Sequence, residues 1–485
     1  MKRRQFTKGL VASVLATPLL PSLAQAIQTS QSIKVSGPIT GGRHGYPFCS
    51  YAGDLSHFGY VEEEYFIEGT ATRYQANGEL GFDGKWSVEP MGTYPFKTRL
   101  LVRRPQDHSR FNGTVVTEWL NTTAGHDTCT IGMVTNGLYQ NGFVYVGVSC
   151  QEVGITGVTD KPQGLHAWDP QRYGSLSIPG DSISYDIFSQ AGKAVGPNRS
   201  RQGVDPLAGL KVKQVIATGA SQSGGRLRTY INAIHLRDKV FDGFLPTIQF
   251  GAGYAFSDIT VDKKTGAPAK NRELYASLIR DDLKTPVFMV NSETEVLVNS
   301  RARQPDSDYL RFWEVAGASH VPAGWDRIIN KIRERDGLYD SGPAELGSEV
   351  LWQDAADAAL MHLISWIDAG KLPPVAEPIK LSTAEGKPVV MRDEFGNAKG
   401  GLRLPELEAP IATYDSALQA LNAANGLRGT TTPLTAGTLK ALYPTHQDYV
   451  DKVTAAAKEC KSSGYILAPC LGRYIEQAKQ ASLAS

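Results

Sequence analysis

The sequence predicts an α/β protein with a mostly parallel central sheet flanked by helices, and three observations predict it. Gly113–Leu120 (GTVVTEWL) and Gly142–Val148 (GFVYVGV) are shorter and more continuously apolar than the strand-like runs that precede them, the signature of strands covered on both faces. Segments of helical period, Thr130–Gln140 and Pro179–Val195, follow these runs. Val212–His235 then passes from strand to helix period across a knot of glycine and serine. Strands alternating with helices imply crossover connections and therefore parallel neighbours.

The remaining elements follow in order. Tyr60–Tyr74 and Tyr94–Arg103 alternate apolar and polar residues, the pattern of half-buried edge strands, with the Gly/Asp-rich turn Asn77–Lys85 between them. After the knot, Phe241–Phe250, Pro286–Asn291 and Tyr309–Val315 continue the strand series, and Asp354–Ala369 is an amphipathic closing helix. Gly251–Lys284 is an insertion placed to cover the carboxyl end of the sheet. Lys371-Leu-Pro-Pro breaks the chain after the closing helix, so residues 27–371 are the expected core. Residues 372–485, with helices expected at Gln447–Lys461 and Leu471–Ser482, form an added C-terminal subdomain packed on it.

Fifty basic residues against 49 acidic ones, without a long run of either sign, give a net charge of +1 and point to neither nucleic acid nor an anionic membrane surface. Residues 1–26 combine Lys2-Arg3-Arg4, a weakly apolar stretch and Ala24-Gln25-Ala26, resembling a twin-arginine leader with its cleavage site. A mature chain in the periplasm or outside the cell, starting near Ile27, is expected. Pro18 and Pro21 and the shortness of the apolar run argue against a membrane anchor, and no later segment suffices for a span. Oligomeric state is not legible. Five cysteines permit disulfides; Cys460 and Cys470, flanking a Ser-Ser-Gly turn, are the expected pair, Cys49 and Cys129 a second candidate, and Cys150 a buried thiol.

The knot carries the chemistry. Gly219-Ala220-Ser221-Gln222-Ser223-Gly224 fits the small-x-nucleophile-x-small pattern of a nucleophile elbow, where a strained serine turn needs small residues two before and two after it. Ser223 also fits, with Ser221 before and Gly225 after; Ser221 is favoured because the apolar strand ends at Thr218 and a glycine follows directly. An α/β-hydrolase fold places its acid after a later strand and its histidine after the last. Glu293 and Glu295 follow Pro286–Val290, and His320 follows Tyr309–Val315; Glu295 is preferred as the one reaching beyond the strand end. The oxyanion donors expected are the backbone N–H of Gln222 and that of Thr122, in the loop after Gly113–Leu120. His126 in that loop is expected to have no catalytic role. No metal-ligand spacing, P-loop or dinucleotide fingerprint is present, so neither cofactor nor metal is expected.

Taken together, TVVTEWLN (Thr114–Asn121), GFVYVGVSCQEVG (Gly142–Gly154), WDPQRYGSL (Trp168–Leu176), GASQSGGRLR (Gly219–Arg228), VNSETE (Val290–Glu295), FWEVAGASH (Phe312–His320) and RDEFGNAKGGLRLP (Arg392–Pro405) resemble a family of bacterial exported α/β-hydrolase-domain proteins described as esterases or hydrolases. The resemblance covers most of residues 60–460. It implies serine-hydrolase chemistry with the family's G-x-S-Q-S-G motif on Gly219–Gly224 and its acid and histidine on Glu295 and His320. Gly225 departs from the family, where a larger residue, commonly Arg, is expected. The function expected is cleavage of small or polymeric carboxylic esters through an acyl-enzyme; lactone, amide or polyester cleavage, or a binding protein on the same scaffold, are the alternatives.

Overall fold

The computed structural model describes residues 33–483, apart from 135, 159–162, 201–202, 257–273, 339–346 and 418–425. The expected leader and the middle of the expected insertion lie outside the described residues.

Nine strands make one sheet. β1 (Lys34–Ser36), β2 (Tyr60–Ala76) and β3 (Val88–Pro105) form its antiparallel side, and β3 runs antiparallel to β5 (Val144–Val148). From there β5, β4 (Thr114–Trp119), β6 (Gln214–Ala220) and β7 (Gly243–Thr247) are parallel, and the sheet continues parallel through β10 (Val287–Ser292) to β11 (Leu310–Val315). All residues of β4, β5, β6, β7, β10 and β11 are buried, which is why these runs lack alternation. The mostly parallel α/β sheet read from the sequence is therefore the architecture observed.

The antiparallel arm is longer than its alternation suggests. β3 begins at Val88 because its exposed residues Glu89–Pro95 pair with β2 across a bulge at Arg73/Tyr74, and exposed residues carry no hydrophobic pattern. Two buried arginines on β3 hold it inside the fold. Arg99 lies between Glu64 (3.3 Å) and Asp127 (2.9 Å), and Arg103 pairs with Glu62 at 2.6 Å. Each buried charge is thus met by an opposite one, as burial requires.

Helices flank the sheet in two groups. Ser184–Val195 meets the helical stretch after the elbow through Phe188, whose ring lies 5.7 Å from Tyr230 and 4.9 Å from Phe241. The closing helix Trp352–Ala369 packs on β7 and β10 and accepts the Gly137 N–H on Asp357. Gly251–Lys284 contributes two short strands, β8 (Ala252–Tyr254) and β9 (Leu274–Ala276), paired antiparallel to each other.

The chain from Ile33 onward is one compact unit. Within it, helices His446–Ser462 and Ala468–Gln480 stand where helical period predicts them, the first opened by a Thr445/Asp448 capping box. The second reaches the closing helix through Arg473 and Tyr474, which both donate to Asp354. The expected Cys460–Cys470 pair is corrected: all five cysteines are free thiols, with Cys460 Sγ on Arg403 O (3.4 Å) and Cys470 Sγ on Asp354 (3.5 Å). One thiol ends a helix and the other starts the next, so the short turn between them directs the side chains to different partners.

Candidate functional site

The carboxyl edge of the sheet brings the sequence-predicted residues into one neighbourhood, because β6, β7, β10 and β11 are successive parallel strands that end there. Ser221 directly follows β6 and has φ +57° and ψ −117°, a conformation costly for an L-residue by about 1–3 kcal/mol. The turn is held from both sides: Ser221 N–H donates to Thr247 O at the end of β7 (3.1 Å), and Gly225 N–H donates to Ser221 O (3.0 Å). A Cβ at Gly219 would lie 2.8 Å from the Ser223 carbonyl oxygen, the close approach that makes a glycine necessary two residues before the turn.

The two serines occupy different environments. Ser221 is partly exposed and alone has the positive φ, whereas Ser223 is fully buried in the helix Gln222–Thr229. The Ser223 hydroxyl donates to Ala220 O (2.9 Å) and accepts from Ala220 N–H (3.1 Å), so it is used up in closing the turn.

Gly225 also has a packing reason. A Cβ there would lie 2.6 Å from the Tyr254 ring and 3.0 Å from Ala252 O, so β8 rests directly on the helix where a larger residue was expected. The Tyr254 ring in turn covers the Arg226 guanidinium at 4.9 Å.

Glu295 closes a single helical turn after β10. Its Oε2 accepts from Ser292 N–H (2.7 Å) and Ser292 Oγ (2.8 Å), and its Oε1 lies 2.6 Å from His320 Nδ1. Both side chains are almost entirely buried. Because an ionised carboxylate only accepts, Nδ1 carries the proton and Nε2 is left as the basic nitrogen. The residue is held further by its backbone N–H on Thr294 Oγ1 (2.9 Å), and its ring by Phe250, stacked at 5.2 Å.

Glu293, one side of the same turn, faces elsewhere. It accepts from Gly317 N–H (2.7 Å) and pairs with Arg392 at 2.6 Å, tying the region beyond residue 371 to the turn. Burial raises its pKa and Arg392 works against that rise.

Neither the Gln222 nor the Thr122 backbone N–H has an acceptor among the described residues. The loop bearing Thr122 is pinned to the elbow by Asn121, whose Nδ2 donates to Ala220 O at 2.9 Å. A buried chain runs behind it. Arg226, one turn into the helix, donates to Asp181 (3.0 Å), which accepts from Gln151, which accepts from Trp119 Nε1 at the end of β4. Asn121, Phe250, Asp181 and Arg226 escape sequence reading; only the spacing of Arg226, four residues after Gln222, was a signal. His126 is buried, with Nδ1 2.9 Å from Asp127 O and a pKa lowered by burial. Among the described residues no cluster of three His, Cys, Asp or Glu side chains is arranged to hold a metal, and no helix is long and apolar enough to cross a membrane.

Comparison with known proteins gives one extended match: a family described as alpha/beta hydrolase domain, over residues 35–476. No curated protein matches. Among solved structures, brefeldin A esterase, a bacterial homologue of human hormone sensitive lipase, is 17% identical over 38% of this chain and 40% of its own, with a TM-score of 0.19. This chain therefore spans less than half of that esterase. Esterase Est22 is 9% identical, covering 58% of this chain and 70% of its own (TM-score 0.27). The glucuronoyl esterase from Solibacter usitatus is 10% identical, covering 58% and 80% (TM-score 0.26).

Proposed function

The chain belongs to the alpha/beta hydrolase domain family, and we propose that it is an exported serine hydrolase that cleaves carboxylic esters through Ser221, His320 and Glu295. The observation that carries this reading is the 2.6 Å contact of His320 with a buried carboxylate, at the same sheet edge as a partly exposed serine in elbow conformation.

In the proposed reaction His320 Nε2 takes the Ser221 hydroxyl proton as Oγ attacks the ester carbonyl. The oxyanion forms against the unpartnered N–H groups of Gln222 and Thr122. His320 returns the proton to the alcohol as it leaves, and water hydrolyses the acyl-enzyme by the same route. Glu295 keeps the tautomer and stabilises the imidazolium. Residues 1–26 act as the leader, 27–371 as the catalytic core with 251–284 as its cover, and 372–485 as the supporting subdomain.

Labelling of the purified mature protein with a fluorophosphonate, followed by peptide mass spectrometry, tests the assignment. An adduct on Ser221 supports it, and one on Ser223 moves the elbow by two residues. Rates on short acyl esters and on anilides then decide between ester and amide, and N-terminal sequencing of the exported form tests the start near Ile27.

A further inference from the structure

We infer that Asn121 is the positioning residue of the oxyanion hole, holding the Thr122 N–H against the nucleophile turn; the inference rests on the serine-hydrolase reading above. Asn121 makes four hydrogen bonds, and all of them fix this loop. Its Nδ2 donates to Ala220 O (2.9 Å), the carbonyl immediately before Ser221. Its Oδ1 accepts from Thr123 N–H (2.8 Å), just past Thr122. Its backbone pairs in both directions with Thr128, N–H to O at 3.0 Å and O from N–H at 2.8 Å, so the loop is closed at its base.

Thr122 is thereby bracketed. The residue before it is bonded to the elbow and to the loop base, the residue after it is bonded to Asn121, and its own N–H is the donor left without a protein acceptor among the described residues. Adjacent parallel strands make the bracket geometrically possible, since Trp119 of β4 stands in register with Gly219 of β6. Asn121, two residues past Trp119, and Ala220, one past Gly219, then both stand at the sheet edge. An oxyanion donor is effective when it is fixed before charge develops, so the bonds that fix it act on the transition state and not on substrate binding.

The test uses two variants of the mature protein. Asn121→Asp keeps size and the acceptor for Thr123 but loses the donor to Ala220 O when ionised; Asn121→Ala loses both side-chain bonds. Above neutrality both should lower kcat by about 10–100-fold with KM changed by less than about twofold. Phenylboronic acid, which forms a tetrahedral adduct on an activated serine, should bind more weakly by the factor lost in kcat/KM. The ratio of Asn121→Asp to wild-type kcat/KM should rise toward pH about 4, where a protonated carboxyl can donate to Ala220 O, and the ratio for Asn121→Ala should stay flat.

A pH-independent loss in Asn121→Asp, or a loss expressed mainly in KM, overturns the inference. If Asn121→Ala does not fold, the pH-dependent ratio of Asn121→Asp still decides. Failure of the underlying reading shows separately, as wild-type protein that gives no fluorophosphonate adduct on Ser221.

Discussion

Glu295 holds His320 with one carboxylate oxygen, at 2.6 Å, and its own helical turn with the other, through Ser292 N–H at 2.7 Å and Ser292 Oγ at 2.8 Å. The imidazole is thus oriented by a group that is itself immobilised by backbone. Two residues earlier, Glu293 is equally buried but is spent on Gly317 and Arg392.

Exchange of each acid for its amide separates the two roles. Glu295→Gln should lower kcat on a short acyl ester by roughly 10³–10⁴-fold, since a neutral amide neither enforces the tautomer nor stabilises the imidazolium. Glu293→Gln should leave kcat within about threefold but lower the thermal midpoint, because the Arg392 pair is lost at a buried site. Equal losses of kcat in the two variants would move the catalytic acid away from Glu295.

Ser223 closes the turn by giving and accepting a hydrogen bond with Ala220. Ser223→Ala should retain the fluorophosphonate adduct on Ser221 while losing about 1–3 kcal/mol of stability, because the Ala220 N–H loses its side-chain acceptor at a buried site while Ala220 O keeps only the Asn121 Nδ2 donor. Ser221→Ala should lose the adduct altogether. An adduct that survives in Ser221→Ala would place the nucleophile elsewhere.

How legible all this is in the sequence depends on whether the constraint is local. The elbow reads out because steric crowding forces small residues at fixed offsets, as the approach of Gly219 to the Ser223 carbonyl illustrates. Parallel strands read out as buried runs, and Glu295 and His320 read out as neighbouring positions just after strand ends. Asn121 does not, because an asparagine after a strand has no pattern of its own; its meaning comes from β4 lying beside β6, a pairing between segments about a hundred residues apart. Proximity in sequence misled at Cys460 and Cys470 for the converse reason: the intervening helix ends point the thiols apart.

The packing of β8 on the elbow helix predicts the response to the larger residue expected at position 225. Gly225→Arg places a side chain where the Tyr254 ring and Ala252 O lie, and should destabilise strongly, whereas Gly225→Ala should cost about 1–3 kcal/mol by overpacking. The paired substitution Gly225→Arg with Tyr254→Ala should recover part of the loss by vacating the ring's space. Thermal unfolding of the three variants checks this, and a Gly225→Arg protein as stable as wild type would show that β8 can lift without cost.

His235 gives the fold a pH-dependent weakness away from the site. It is buried against Phe244 at 4.8 Å with Nε2 2.8 Å from Thr285 Oγ1, and burial, aided by Lys239 and Arg280, pushes its pKa from 6.5 down to about 4. A depressed histidine pKa means that the unfolded chain binds the proton first. Its contribution is therefore present above pH 6.5 and is lost as pH falls toward about 4, amounting to about 3 kcal/mol over that interval. Replacing the imidazole by a side chain that does not titrate, His235→Gln, should flatten this part of the stability profile while costing some stability at neutral pH. Chemical denaturation at a series of pH values between 7 and 4 measures it. Parallel profiles for the two proteins would show that the acid sensitivity resides in other groups.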